Sequence, residues 1–269
     1  MNAALARTVP KAANALFRYS PLLILIVLWK AATDFGWIST AVLPPVEGVF
    51  DSGYSLLVTG EFWDNAGSSF YRGGVGLLLA IVIGGGLGIA MAWWRPIRYV
   101  MSPMVELFYP LPKSALIPLF ALWFGIGNVT AIAAVFLACL LPMIVNTYHG
   151  VTTTPKVLVW SAQALGTARR EVWSRVYLRN ALPDIFTGLR IALGFSFVLA
   201  ISAEMIASTN GIGKLIFMYG ENGTYDYMFA AIACVVVVAF FADRGLLLVT
   251  RRLLGWHESA VADHERRRA

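Results

Sequence analysis

Glu204 is the residue with the most chemical weight in this sequence. It lies near the end of the apolar run of about 185–207, on the helical face that already carries Gly188, Ala192, Ser196 and Ala200. A carboxylate in such a run turns to protein or to water, because lipid cannot solvate it. With Ser196 it would line or gate a solute path; alone it would close an internal pair or snorkel to the interface. Lys113 raises the same question midway along another apolar stretch, between Pro112 and Ser114. Prolines on both sides break a helix and free backbone groups. A cation there serves as counter-ion to an anionic solute, or reaches the headgroups from an interfacial position.

Catalytic chemistry is not visible. His149, His257 and His264 have no ligand-like spacing, and Cys139 and Cys234 sit inside apolar runs where neither a disulfide nor a metal is expected. Gly211-Ile212-Gly213 lacks the strand–turn–helix context of a nucleotide loop. No Walker lysine, nucleophile elbow or pair of catalytic carboxylates occurs, so the expectation is a chain with no catalytic residue, no metal and no bound cofactor. If ATP drives this protein, it binds elsewhere.

The elements that hold these residues are dictated by composition. Of 269 residues, 58% are hydrophobic and 13% charged, about half the ~25% charge of a soluble domain. Mean hydropathy is +0.70. The bilayer must be the solvent for much of the chain, which excludes a disordered chain, a coiled coil and a disulfide-rich secreted scaffold. Apolar stretches at about 20–38, 70–94, 101–124, 129–148, 185–207 and 227–248 predict an all-α membrane protein with six transmembrane helices. The polar segment 39–69 and the Gly/Asn-rich segment 208–226 read as loops, Arg95-Pro96 as a turn, and few charges lie deep in the spans.

Six spans put both termini on one side. The N-terminus, the 95–98 turn, the 149–182 loop and the C-terminal tail carry 3, 2, 5 and 5 Lys/Arg, while the other loops carry only Lys214. The positive-inside rule makes both termini and the long basic loop cytoplasmic. The domains are therefore a cytoplasmic segment 1–19, a six-helix membrane domain 20–252 and a cytoplasmic tail 253–269. Nucleic acid is not an expected partner, because the net charge of +6 is accounted for by these loops.

Small residues mark where helices approach. Gly76, Ala80, Gly84, Gly88 and Ala92 recur every four residues, with Gly84 and Gly88 forming a GxxxG. Gly188 begins the similar series in the fifth span. Such faces pack against another helix of the same chain or of a second copy.

The cytoplasmic loop reads Trp160-Ser161-Ala162-Gln163-Ala164-Leu165-Gly166, then nine residues, then Val176-Tyr177-Leu178. It resembles the EAA loop of binding-protein-dependent ABC importer permeases, E-A-A-x3-G-x9-I-x-L-P. Ala162, Gly166 and Leu178 match and Val176 is conservative, while Trp160, Ser161 and Arg179 depart. The stretch Pro112–Gly127, Leu182-Pro183 with Thr187-Gly188-Leu189-Arg190, Ala203-Glu204 with Gly211-Ile212-Gly213, and Leu43-Pro44-Pro45 are similar to the nitrate/sulfonate/taurine-type subfamily. The resemblance spans about residues 20–252.

It implies a type I ABC importer-like fold in a bacterial inner membrane. The non-catalytic permease would pair with a second copy of itself. Two ATPase subunits would bind ATP and Mg, and a periplasmic or lipid-anchored solute-binding protein would deliver a small anionic solute: nitrate, a sulfonate, taurine, bicarbonate or an organic acid. The loop around Ala162, Leu165, Gly166 and Thr167 would seat in the ATPase. A secondary transporter or channel, the competing reading, would show internal repeats and several deep charges.

Overall fold

Without water, each backbone N–H and C=O must be bonded within its own segment, so an apolar run of about twenty residues becomes a helix. The computed structural model describes the backbone of residues 11–255 and the side chains of 20–255, and it is helical through most of each of these runs. In chain order the helices are α1 (Lys11–Asp34), α2 (Val46–Val58), α3 (Gly60–Trp93), α4 (Arg95–Phe108), α5 (Ile117–Phe124), α6 (Asn128–Thr152), α7 (Lys156–Ala164), α8 (Arg169–Val172), α9 (Leu178–Ala207), α10 (Ile212–Glu221) and α11 (Tyr225–Leu253). A π-helical turn, Trp173–Tyr177, joins α8 to α9. No strand occurs among the described residues.

Among the described residues four helices are long and apolar enough to cross a membrane: α3, α6, the continuous Arg169–Ala207 helix and α11. The pair Arg95–Phe108 and Lys113–Phe124, bent by 94°, makes a fifth if it counts as one span. The first of the six expected spans, about 20–38, overlaps α1 (Lys11–Asp34), which is not among these helices; its residues Leu22 to Leu28 are all exposed. Residues 1–10 and 256–269, with most of the expected cytoplasmic end segments, lie outside the described residues.

Several sequence expectations change. The polar segment before residue 70 is not a loop: α2 occupies part of it, and α3 starts at Gly60 and runs 34 residues. Its first turns carry Glu61, Asp64, Asn65, Ser68 and Ser69, which hydropathy alone discards. Arg95-Pro96 opens α4, with proline at a helix start where its missing N–H costs nothing. The stretch 101–124 is two helices separated by Pro110, Pro112 and a 3₁₀ turn at Lys113–Leu116. The glycine-rich segment after 208 contains α10.

The chain divides into two compact units. The first comprises residues up to Gly60 and Ile216–Ala233. In it the Trp29 indole N–H donates to the Pro44 carbonyl at 2.9 Å, and its ring lies 5.5 Å from that of Phe229. The second unit, Glu61–Leu215 and the chain from Cys234 on, is built on α6 and α9. More than half of the apolar window of α6 is buried, against none of that of α11.

The α3, α6 and α9 contacts rest on absent side chains. A Cβ at Gly84 would stand 2.8 Å from Met143 Cβ, and one at Gly88 2.7 Å from Thr147 Cβ. One at Gly188 would meet Asn146 Cβ at 2.7 Å and the Pro142 carbonyl at 3.0 Å. Backbones at this spacing gain the dispersion contact that replaces the hydrophobic effect within lipid.

Candidate functional site

The second unit holds a buried polar network around Glu204. Arg72 is 1% exposed and Glu204 fully buried. Arg72 Nη1 donates to Glu204 Oε1 at 2.9 Å and to the Asn210 carbonyl at 2.8 Å. Its Nε donates to Asn128 Oδ1 at 2.7 Å, and its Nη2 to Asn210 Oδ1. Ser69 Oγ donates to Glu204 Oε2 at 2.7 Å. Burying two charges is tolerated because nearly every donor and lone pair is used.

The same network caps α10. The four leading N–H groups of a helix lack intrahelical partners. Here Gly211 N–H donates to Asn65 Oδ1 at 2.6 Å, Ile212 N–H to Ser69 Oγ at 2.9 Å and Gly213 N–H to Glu204 Oε2 at 3.0 Å. A carboxylate at a helix N-terminus also opposes the helix dipole favourably. The Gly-Ile-Gly sequence is explained by this packing. A Cβ on Gly211, whose φ is +113°, would run into the Glu204 carboxylate, and one on Gly213 into the Ile201 carbonyl.

Sequence reasoning misses Arg72. The signal was available: Asn65, Ser69 and Arg72 fall at i, i+4 and i+7, and Gly76, Ala80, Gly84 and Gly88 continue the same face. It also misses Arg190 and Asp243. Arg190 Nε and Nη2 bind the two Asp243 oxygens at 2.6 and 2.9 Å. This pair closes one end of a groove of about 440 Å³ between α9 and α11. With Arg244, the spans therefore carry more charge than hydropathy implies.

The remaining expected residues are not gathered at one site. Ser196 is 4% exposed, donates to the Leu193 carbonyl at 2.7 Å and lines an apolar cavity of about 210 Å³ with Gly73, Leu77, Phe197 and Val238. Lys113 sits half-buried at the α4–α5 bend. Its Nζ donates to the Tyr109 carbonyl at 2.6 Å, one of the groups the broken helix frees, and lies 5.5 Å from that tyrosine ring.

Ala162, Leu165, Gly166 and Thr167 do share one local motif. Gly166 has φ +79°; its N–H donates to the Gln163 carbonyl at 3.0 Å, and Thr167 N–H donates to the Ala162 carbonyl at 3.1 Å. These two bonds are a Schellman cap, which stops α7 and turns the chain toward α8. Leu165 projects from the turn with 86% of its surface exposed, beside exposed Val157, Leu158 and Trp160. Nothing within 4 Å would meet a Cβ on Gly166, so its constraint is the backbone angle alone.

Comparison with known proteins places these features in context. Residues 76–255 match the family model described as binding-protein-dependent transport system inner membrane component. The taurine transport system permease protein TauC of Escherichia coli (strain K12) is 34% identical over 241 residues, covering 88% of each chain. The putative aliphatic sulfonates transport permease protein SsuC of the same organism is 32% identical over 237 residues, 87% of this chain and 89% of the other. In structure the chain is similar to an inward-facing form of the MetNI methionine ABC transporter, with TM-score 0.61 and 18% identity over 72% of this chain and 96% of that one.

Proposed function

The chain belongs to the binding-protein-dependent transport system inner membrane component family, and on that premise we propose how this ABC importer permease subunit is driven and what it carries. The loop from Lys156 to Thr167 is the contact with a separate ATPase subunit. The observation that carries this is the exposed tip of Leu165, held by the Gly166 turn, next to Val157, Leu158 and Trp160. An apolar tip on a membrane protein's polar loop is an anchor for a protein pocket. Two copies of the chain form the path, two ATPase subunits bind ATP and Mg, and this chain catalyses nothing. A periplasmic or lipid-anchored binding protein delivers the solute. The assembly sits in the inner membrane with both termini and the 149–182 loop in the cytoplasm, where the Lys/Arg excess falls.

The solute is a small anion of the sulfonate class, as the names of the relatives suggest. Glu204 and Ser196 stand on the helix that lines or gates the path, and Lys113 at a break in another. Ligand-induced stabilisation of the cognate binding protein by taurine or aliphatic sulfonates checks the class; no stabilisation by either would remove it.

Gly166→Val tests the loop. Its left-handed φ costs a β-branched residue more than the ~1 kcal/mol typical of a Cβ there, with no neighbouring atom in the chain to absorb the change. The expected result is an inserted, folded permease that no longer retains the ATPase or no longer stimulates it. Retention and stimulation at parent levels would show that the loop is not the transmission element.

A further inference from the structure

The Arg72–Glu204 network and the coupling loop are two ends of one frame. α3 packs along α6 through Gly76, Gly84 and Gly88, and α9 packs along it through Gly188. At the loop end, the Trp93 ring of α3 lies 4.5 Å from that of Trp173, which opens the π-helical turn leading into α9. The ring of Tyr177, the last residue of that turn, lies 6.0 Å from that of Trp173. At the other end, Arg72 of α3 is bonded to Glu204 of α9. Between Arg72 and Trp93 the helix covers about 32 Å, close to the ~30 Å thickness of a hydrocarbon core. The π turn is the only one among the described residues, and its bonding is already out of step with the α-helices around it.

The far end of this frame holds a backbone segment. Arg72 and Glu204, with Asn65 and Ser69, fix Asn210, Gly211, Ile212 and Gly213 through side chain-to-backbone bonds. A buried ion pair is seldom the cheapest way to stabilise a fold, since apolar residues of similar volume do as well. What this one supplies is a single, fully bonded position for the 208–213 segment. Leaving that position breaks several bonds at once, so the segment has discrete states instead of a continuum.

We propose that Arg72 and Glu204 are positioning residues for transport: they hold the 208–213 segment at the end of the path opposite the coupling loop, and the α3–α9 frame links that hold to the ATPase. This rests on the reading of Lys156–Thr167 as the ATPase contact. Displacement of the loop enters at Trp173, is shared with α3 through Trp93, and reaches the network along both helices.

The test uses the permease–ATPase complex in liposomes with its cognate binding protein. Thr209→Cys, at an exposed site outside the network, reports on the segment in a background with Cys139 and Cys234 changed to Ala. In the parent, labelling by a charged thiol reagent changes between the nucleotide-free and ATP–vanadate-trapped states. Glu204→Gln abolishes that change and lowers the stimulation of ATP hydrolysis by the binding protein about tenfold, within the range of ordinary coupling between sites. The ATPase subunits still co-purify, and Arg72→Lys, which keeps the charge, retains part of both responses. Nucleotide-independent labelling in the parent overturns the proposal. So does a Glu204→Gln complex that melts earlier but keeps both responses, because the network is then structural only. If Glu204→Gln does not assemble, the parent and Arg72→Lys decide by the same criteria. Full ATPase binding and stimulation in Gly166→Val would remove the coupling-loop reading and leave the labelling result standing by itself.

Discussion

Among the described residues, the ion pairs Arg72–Glu204 and Arg190–Asp243 each join two membrane-crossing helices, and their surroundings differ sharply. Arg72–Glu204 has side chains 2% and 0% exposed and joins residues 132 apart in the chain. Arg190–Asp243 has side chains 51% and 31% exposed, at the end of an open groove. The first is embedded in bonds to Ser69, Asn128, Asn210 and the start of α10. The second is a bidentate fork at the groove, with Arg244 next to Asp243 in the chain. Geometry alone would rank the fork higher. Burial reverses the order, because a lone buried charge has neither water nor partner, whereas a half-exposed one keeps an alternative.

The largest effect should come from Arg72→Ala. It leaves the Glu204 carboxylate buried without its cation and removes the donors to Asn128 and Asn210. The expected loss is about 3–5 kcal/mol, read as a fall in the melting temperature of the purified permease and a poor yield of folded protein. A loss below about 1 kcal/mol would place the buried pair with ordinary exposed ones. Gly211→Val should come next, at about 2 kcal/mol, since it forces a β-branched residue to φ +113° and its Cβ into the Glu204 carboxylate. If it melts with the parent, the cap on α10 yields far more easily than its bonds imply. The smallest effect is expected from Arg190→Lys, which keeps the charge and loses the fork, at about 1 kcal/mol or less. Destabilisation as large as that of Arg72→Ala would mean that the groove closes over this pair in the assembled transporter.

Sequence exposed the elements that the membrane dictates and hid those that tertiary contact dictates. Apolar runs must be helical in lipid, so the cores of α3, α6, α9 and α11 could be read directly. Glu204 was also legible, because it ends a four-residue series of small side chains. Its partner was not. Arg72 lies 132 residues away, and the polar turns of α3 before it look like loop to any scale that scores hydropathy alone. The break at Pro110–Pro112 was visible as prolines, but the 94° bend that follows from it was not. Gly166 stood out as a match to the loop motif, and the structure supplies the reason it is glycine: its φ of +79° at the end of a short helix strains any residue with a Cβ.

The separation of Arg72 and Glu204 also has a consequence for biosynthesis. α3 emerges from the ribosome well before α9, and at about 5–20 residues per second the 132 intervening residues take roughly 7–26 s. During that interval α3 enters the bilayer with a guanidinium that has no carboxylate to meet. Arg72 is twelve residues from the beginning of its 34-residue helix, and the turns before it are polar, so the side chain can wait at the headgroups by snorkelling. Placed at the middle of the hydrocarbon core, the same arginine would cost about 2.5–3.5 kcal/mol at insertion. Its position near the end of the span therefore suits the order in which the chain is made as well as the finished fold.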